Sequence, residues 1–397
     1  MVILAVNCGS SSLKFQLVDA GADGERRLAR GLIERIGGAA LVTLEAEGRP
    51  ARRETMTVAD HEAAVATMLT WLDDPAVALA PPAAVGHRIV HGGARFTSET
   101  MLTDAVVTAL ADLKELAPLH NAPGVAGIRA SRRHLPGVPM VAVFDTSFHA
   151  TLPEVAWRYA IPMALADRHG IRRYGFHGIS YAYVLARYAE LTRRGPDTLD
   201  MIALHLGNGC SVTAIRAGRS IDTSMGFTPL EGLVMGTRAG DLDPAIVGVL
   251  AEREGVSVSE VERWLNERSG LLGLSGTSRD MRELLARMHD DPRARLAVEI
   301  FCYRARKYVG AYLAAMGGAG ALVFTGGIGE HAPEIRARVC EGLAWAGIAL
   351  DPAANTAAHG DARIGAATAT IDTWVIAADE ERMIARQTRA AVAAGPG

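Results

Sequence analysis

Apolar residues gather along this chain in short blocks, and most blocks end in glycine, serine, threonine or an ionisable residue. Such blocks read as strands at residues 2–6, 15–18, 41–44, 85–90, 138–144, 202–206, 211–215, 322–325 and 373–376. Between them, apolar positions recur at helical spacing over 105–116, 180–190, 244–253, 257–266, 293–315 and 333–345. Strands mixed with helices in this way predict an α/β layered protein. At 397 residues the chain exceeds one hydrophobic core, so two domains are expected.

The pattern also repeats. Residues 3–18 and 201–216 both read strand, glycine turn, strand. Laying Gly9 on Gly207 places Asn7 on His205, and Leu4 and Val6 on Ile202 and Leu204. Glycine hairpins are common enough for one such repeat to arise by coincidence. A duplicated domain would instead put two phosphate-facing hairpins across a cleft. The first turn, NCGSSSLK (7–14), carries two readings: a plain hairpin turn, or hydroxyls, backbone N–H groups and an ammonium aimed at a nucleotide.

Composition narrows the classes. A formal net charge of −3 gives no basic footprint for nucleic acid or an anionic membrane surface. No run of about 18 apolar residues is present to span a bilayer. Cys8, Cys210, Cys302 and Cys340 lie far apart and show no metal-binding spacing. With no basic leader before the first strand, the expectation is a cytoplasmic protein with reduced thiols.

Several motifs carry candidate chemistry. In AVGHRIVHGG (84–93), strand alternation sends Arg88 to the face of Gly86 and Val90, away from His87 and Ile89. An arginine there needs an anionic partner, from the protein or from a ligand, because burying it unpaired is prohibitive. His87 and His91 read as satisfied core histidines. VPMVAVFDTSFH (138–149) ends an apolar strand in Asp145, where open α/β sheets place ligand and metal groups; a cap for the next segment is the other reading. RRYGFHGIS (172–180) sets His177 between Gly175 and Gly178 at a predicted helix start, a candidate for ligand contact or a turn histidine.

The densest stretch runs from His205 to Pro244. Its GNG resembles a second phosphate turn, and MGTRAGD offers Arg238 on a glycine-flanked loop as a clamp for a transferring anion. VFTGGIGEH (323–331) ends a strand in a glycine turn that lets backbone approach a nucleotide. The chain has no G-x-x-x-x-G-K-[ST], so a nucleotide bound here needs a different cradle from the Walker loop.

Taken together, VNCGSSSLK, HRIVHGG, FDTSFH, RRYGFHG, HLGNG, DTSMGFTPLEGLVMGTRAGDLDP, FTGGIGEH and ADEER resemble the acetate kinase family of the acetate and sugar kinase/actin-like ATPase superfamily. The matches follow the family's order over nearly the whole chain. The resemblance implies an α/β fold of two ribonuclease-H-like (actin-like ATPase) domains flanking a central cleft. It implies boundaries at 1–149 and 150–379, with a terminal helix at 380–397 joined to the first domain. The implied reaction is ATP + acetate ⇌ ADP + acetyl phosphate by direct in-line transfer, with Mg²⁺ or Mn²⁺, in a cytoplasmic homodimer. A propionate or butyrate kinase shares the same charged set and is the alternative within the family. A non-catalytic actin-like switch would have no reason to keep Arg88, His177 and Arg238 together.

The resemblance also implies roles residue by residue. Asp145, His177 and Arg238 match the catalytic positions, and Arg88 the arginine that meets the acetate carboxylate. Val90, Leu119, Phe176 and Pro229 match apolar residues around the acetate methyl. ATP-binding matches are Ser10, Ser12 and Lys14 in the first hairpin, and His205, Leu206, Gly207, Asn208 and Gly209 in the second. Asp280, Met281 and Arg282, with Gly327, Ile328, Gly329, Glu330 and His331, match the remaining nucleotide segments. Asn7 and Glu380 match the metal-linked pair, with Glu381 next in line as the other candidate.

A carboxylate acceptor is already ionised at pH 7, titrating near about 4, so Asp145 is expected to position metal and water rather than remove a proton. Ile179, Tyr181, His331, Ala122 and Gly124 depart from the family pattern without removing a charged catalytic residue.

Overall fold

The computed structural model of the chain describes residues 1–21, 24–77, 79–113 and 118–395, with backbone alone at 118–120. Its described strands form two mixed sheets. The first contains β1 (Val2–Cys8), β2 (Ser12–Gly21), β3 (Gly24–Glu34), β4 (Gly38–Ala46), β5 (Arg52–Val58), β6 (Ala84–Ile89), β7 (Thr100–Met101) and β8 (Met140–Phe144). Their order is β5-β4-β3-β2-β1-β6-β8-β7. The second contains β9 (Met201–Leu206), β10 (Cys210–Arg216), β11 (Arg219–Thr223), β12 (Ala321–Thr325), β13 (Ala362–Arg363) and β14 (Asp372–Val375), in the order β11-β10-β9-β12-β14-β13.

Each sheet holds the same nucleus. β1–β3 and β9–β11 are antiparallel meanders. On the far side of each first strand lie two strands parallel to it, β6 and β8 in one sheet, β12 and β14 in the other. This is the ribonuclease-H-like arrangement that the resemblance implies. The repeat seen in the sequence is the opening hairpin of each sheet, closed at Cys8–Leu13 and at Leu206–Cys210. Leu4, Val6, Ile202 and Leu204, which overlay one another, are all buried.

The chain divides into two compact units. The first comprises Met1–Phe148, Gly178–Tyr183 and the residues from Asp379 on, and the second His149–His177 and Val184–Ala378. The helix Glu380–Ala394 packs on β6, β1, β2 and β8 of the first unit through Met383, Ile384 and Ala385. Charge fixes its start, since Lys14 Nζ lies 2.8 Å from Glu381 and Gln16 Nε2 donates to Asp379 Oδ1 at 2.9 Å. Further along, Arg386 pairs with Glu25 at 2.6 Å. No described helix is long and apolar enough to cross a membrane.

Helix starts follow local capping chemistry. Thr103 accepts from Val106 N ahead of Asp104–Asp112, Ser257 from Glu260 N ahead of Val258–Glu267, and Asp291 from Ala294 N ahead of Pro292–Met316. Each such cap contributes about 1 kcal/mol. The helix expected over 105–116 is seen as Asp104–Asp112, and residues 114–117 lie outside the described ones. The one expected over 333–345 ends at Cys340, because Gly342 turns left-handed at φ +77° before a short 3₁₀ turn, Ala344–Ala346.

Elements that the apolar pattern misses have physical reasons. β3 is GERRLARGLIE, and its register against β2 slips so that Leu28 is an extra residue opposite Leu17 and Val18. The slip breaks the alternation that marks a strand. Pro118–His134 contains Pro123, Gly124 and Gly127 and reads as a loop, yet it is a helix. Its glycines are where it meets the sheet: a Cβ on Gly124 would lie 2.9 Å from Ile89 Cδ1, and one on Gly127 2.5 Å from Cys8 Sγ. Close packing on the sheet here outweighs poor helix propensity.

Two glycines should respond in opposite directions. A Cβ on Gly86 would lie 2.1 Å from Thr388 Oγ1 and 2.6 Å from Ile384 Cγ2, whereas Gly248, in the helix Ala245–Glu254, meets nothing within 4 Å. Gly86→Val should destabilise by about 1–3 kcal/mol by lifting the C-terminal helix off β6. Gly248→Ala should stabilise by about 0.5–1 kcal/mol. Thermal unfolding reads both, and a neutral Gly86→Val would refute the packing argument.

Burial pushes the His87 imidazole down to about 3, with nearby Arg132 adding to the effect. The unfolded chain, with a histidine near about 6.5, therefore binds this proton first, and stability from His87 is lost as pH falls from about 6.5 towards about 3. His87→Gln should flatten the fall in unfolding midpoint across that window. Identical pH dependence in the two proteins would contradict this.

Candidate functional site

In the first unit, three neighbouring strand ends converge. β1 supplies Asn7, β6 supplies Arg88, and Asp145 follows directly on β8. Arg88 donates Nε to Asp145 Oδ1 at 3.0 Å and Nη2 to Oδ2 at 2.6 Å, while Nη1 donates to Asn7 Oδ1 at 3.1 Å. This fork-on-fork pair is the strong form of a charge-assisted bond. Asp145 is buried, whereas the Arg88 side chain keeps 20% exposure. Desolvation opposes the Arg88 charge, but Asp145, Glu380 and Glu381 more than offset it and hold the guanidinium protonated. Burial raises the Asp145 carboxyl above its ordinary range despite Arg88, and Glu380 adds to the rise.

The start of the C-terminal helix separates the two candidate glutamates. Glu381 is fully buried against Lys14, and burial raises its carboxyl although Lys14 pulls it down. Glu380 stays partly exposed and acts electrostatically on Arg88, Asp145 and Lys14. The Lys14 side chain is half-exposed at 50%. The turn before it is fixed by Gly9 N donating to Ser12 O at 2.8 Å and by His61 Nε2 on Gly9 O at 2.7 Å, with Ser10 exposed. Val90 follows β6, partly buried. The Leu119 side chain lies outside the described residues.

In the second unit, His177 sits at φ +58°, left-handed, as the cap of the helix Gly178–Thr192. That conformation costs a non-glycine residue about 1 kcal/mol and persists only where surroundings impose it. Its ring stacks on His205, centroids 4.2 Å apart, and its Nδ1 lies 2.8 Å from Ser211 Oγ. Arg238 donates Nη1 to Pro229 O at 2.7 Å, and burial lowers its guanidinium from the ordinary arginine value. Gly209, in the GNG turn, shows where these groups aim. A Cβ there would lie 3.0 Å from Arg238 Nη2 and 3.4 Å from His177 Nε2. An oxyanion near that point would meet the Arg238 guanidinium, and the His177 ring as a second donor when Nε2 carries its proton.

Beside the same turn is a cavity of about 540 Å³, lined by Gly207, Asn208, Asp280, Met281, Arg282, Gly327, Ile328 and His331, with Arg279, Leu285, Ala332 and Glu334. Most of the expected nucleotide residues of this unit thus share one wall. Three others face elsewhere: Leu206 is buried in β9, Gly329 O accepts from Arg336, and Glu330 Oε1 accepts from Ala378 N. Phe176 is buried beside His177.

Sequence reading overlooked what holds Arg238 and Pro229. The segment 224–244 has no helix or strand until its last residue leads into Ala245–Glu254. Arg173 donates to the carbonyls of Thr223, Ser224 and Met225 and pairs with Glu231 at 2.6 Å, and Tyr159 donates to the other Glu231 oxygen. Asp241 accepts from Gly232 N at 2.8 Å and from Tyr308 at 2.8 Å. An unbroken loop this long inside a compact unit is usually functional. The lone Glu231 in PLEG and the paired arginines of RRYG were the available signal.

Comparison with known proteins agrees with this geometry. The model of the acetokinase family matches residues 2–386. The chain is 53% identical to the acetate kinase of Solibacter usitatus, covering 98% of this chain and 97% of the relative. It is 48% identical to that of Chloroherpeton thalassium, with 98% of each covered. Among solved structures, acetate kinase from Porphyromonas gingivalis is 40% identical with a TM-score of 0.90, and covers 98% of this chain and 99% of its own. A propionate kinase from Francisella tularensis is 39% identical with the same TM-score and the same coverage. With a family match over nearly its whole length and two full-length structural likenesses, the chain belongs to the acetokinase family.

Proposed function

We propose that this protein transfers the γ-phosphoryl group of ATP directly to acetate, reversibly, giving ADP and acetyl phosphate. The observation that carries the proposal is Arg88, held protonated and in one orientation by Asp145 and Asn7 while a fifth of its side chain stays exposed. Full-length similarity to curated acetate kinases supports the choice of acid.

In this reading Arg88 takes the acetate carboxylate, which is already ionised and needs no base. Asp145 orients the guanidinium. The family resemblance assigns Val90, Leu119, Phe176 and Pro229 to the methyl group. The cavity beside Gly207 and Asn208 takes the nucleoside, and the resemblance assigns Ser10, Ser12 and Lys14 to phosphate oxygens; half of the Lys14 side chain is exposed while its ammonium pairs with Glu381. Arg238 and His177 donate to the transferring group as its charge spreads over its oxygens.

Of the pair that the resemblance links to Mg²⁺ or Mn²⁺, Glu380 offers a partly exposed carboxylate, a hard donor that suits either metal, while Asn7 Oδ1 accepts from Arg88 and would offer its second lone pair. Among the described residues no cluster of three or more His, Cys, Asp or Glu groups is placed to hold a metal, and Mg²⁺ beside phosphates commonly uses one or two carboxylates. When bound, the metal would neutralise charge on the phosphates. A homodimer and a cytoplasmic location, both implied by the family resemblance, belong to the same proposal.

Hydroxylamine trapping of acyl phosphate, with MgATP and acetate, tests the reaction. Arg88→Ala and Arg238→Ala should each lower the rate by about 100-fold or more while nucleotide still binds. A variant that keeps wild-type rates would remove that arginine from the proposal. Across acids, one added methylene should cost about 1–3 kcal/mol of discrimination, leaving propionate second and butyrate third. Propionate faster than acetate would instead favour the propionate kinase reading that the Francisella tularensis likeness raises.

A further inference from the structure

FDTSFH contains a histidine that the proposed reaction leaves without work. His149 is fully buried, and both its ring nitrogens meet fixed partners: Nδ1 lies 2.8 Å from Ser220 Oγ and Nε2 lies 3.0 Å from the carbonyl oxygen of Phe176. A carbonyl only accepts, so Nε2 carries the proton, and in a neutral ring Nδ1 accepts from the Ser220 hydroxyl. Burial pushes the imidazole down to about 4, although the Phe176 carbonyl opposes the fall, so the ring is neutral near pH 7. Ser220 is itself anchored, because Thr151 Oγ1 donates to its carbonyl at 2.8 Å.

The same ring presses on the backbone. A Cβ on Gly175 would lie 2.6 Å from His149 Cδ2, so the imidazole rests against the α-carbon of Gly175. On its other side the turn is tied by Tyr174 N and Gly175 N, which both donate to Gly226 O, at 3.1 and 3.3 Å. The next residue after Phe176 is His177, in its left-handed conformation. Something must impose that conformation, and the bond to the Phe176 carbonyl acts one peptide away from it.

We infer that His149 is a positioning residue for phosphoryl transfer: by donating Nε2–H to the Phe176 carbonyl it fixes the turn that aims His177 towards Gly209 and Arg238. The inference rests on the proposed reaction. It assigns His149 no contact with substrate. Its effect falls on turnover, because a reactive group displaced by about 1 Å costs about 100-fold. The nucleoside cavity, which His149 does not line, is unaffected.

Glutamine and asparagine separate the two ring bonds. The His149→Gln amide reaches the Nε2 position and can still donate to Phe176 O, whereas His149→Asn reaches only the Nδ1 position. His149→Gln should keep kcat within about 10-fold of wild type and His149→Asn should lose about 100-fold, with MgADP affinity unchanged in both. Equal loss in the two variants, wild-type kcat in His149→Asn, or weakened MgADP binding would overturn the inference. Nitrogen-resolved histidine spectra of the wild-type protein provide a check that needs no variant and no turnover. The His149 ring should appear as the neutral Nε2–H form from about pH 5.5 to 8, and an Nδ1–H form or a titration within that range would overturn the assignment. If wild-type protein makes no acyl phosphate, the proposed reaction fails. The inference about the turn then fails separately only if these spectra contradict it.

Discussion

Arg88 can stand at the end of an apolar strand only because a carboxylate stands there with it. The three strand ends that meet at this point are neighbours in the sheet, so β1, β6 and β8 bring Asn7, Arg88 and Asp145 together without a long loop. The pair then constrains what surrounds it. Breaking a buried ion pair by removing one partner costs about 3–5 kcal/mol, so neither residue is free to be replaced alone. The C-terminal helix follows the same logic. Its first turn sets Asp379, Glu380 and Glu381 near Lys14 and Arg88, and the helix dipole favours acidic residues at that end.

The second unit solves a different problem with similar means. It has to hold a cationic side chain and an imidazole on backbone that is neither helix nor strand. Arg173 and Glu231 organise the carbonyls around 223–225, Asp241 with Tyr308 closes the loop, and Arg238 leans on the carbonyl of Pro229. His177 is set by stacking on His205 and by Ser211. Charged groups outside the proposed site are therefore part of what makes Arg238 and His177 converge near Gly209.

Strands at the centre of both sheets were legible because they are continuous apolar blocks buried on both faces. The repeat of glycine hairpins was legible for the same reason, and it marks the two copies of the strand-order nucleus. β3 was not, since a register slip at Leu28 hides its alternation. The helix Pro118–His134 was not, since its proline and glycines signal a loop and only contact with Ile89 and Cys8 explains them. Arg88 was legible as a charge in need of an anion, but the identity of its protein partner, Asp145, depends on strand order. Whether Glu380 or Glu381 faces outward depends on helix rotation, which two adjacent glutamates cannot reveal by themselves.

The central claim is that Asp145 locks Arg88 into one substrate-ready orientation. Guanidinium nitrogen spectra test it most directly, with Arg88→Lys used for assignment. The account predicts a slowly rotating Arg88 with separate Nη signals in the wild-type protein, perturbed by added acetate and lost in Asp145→Asn. A freely rotating Arg88 in the wild-type protein, or one indifferent to Asp145→Asn, would contradict it.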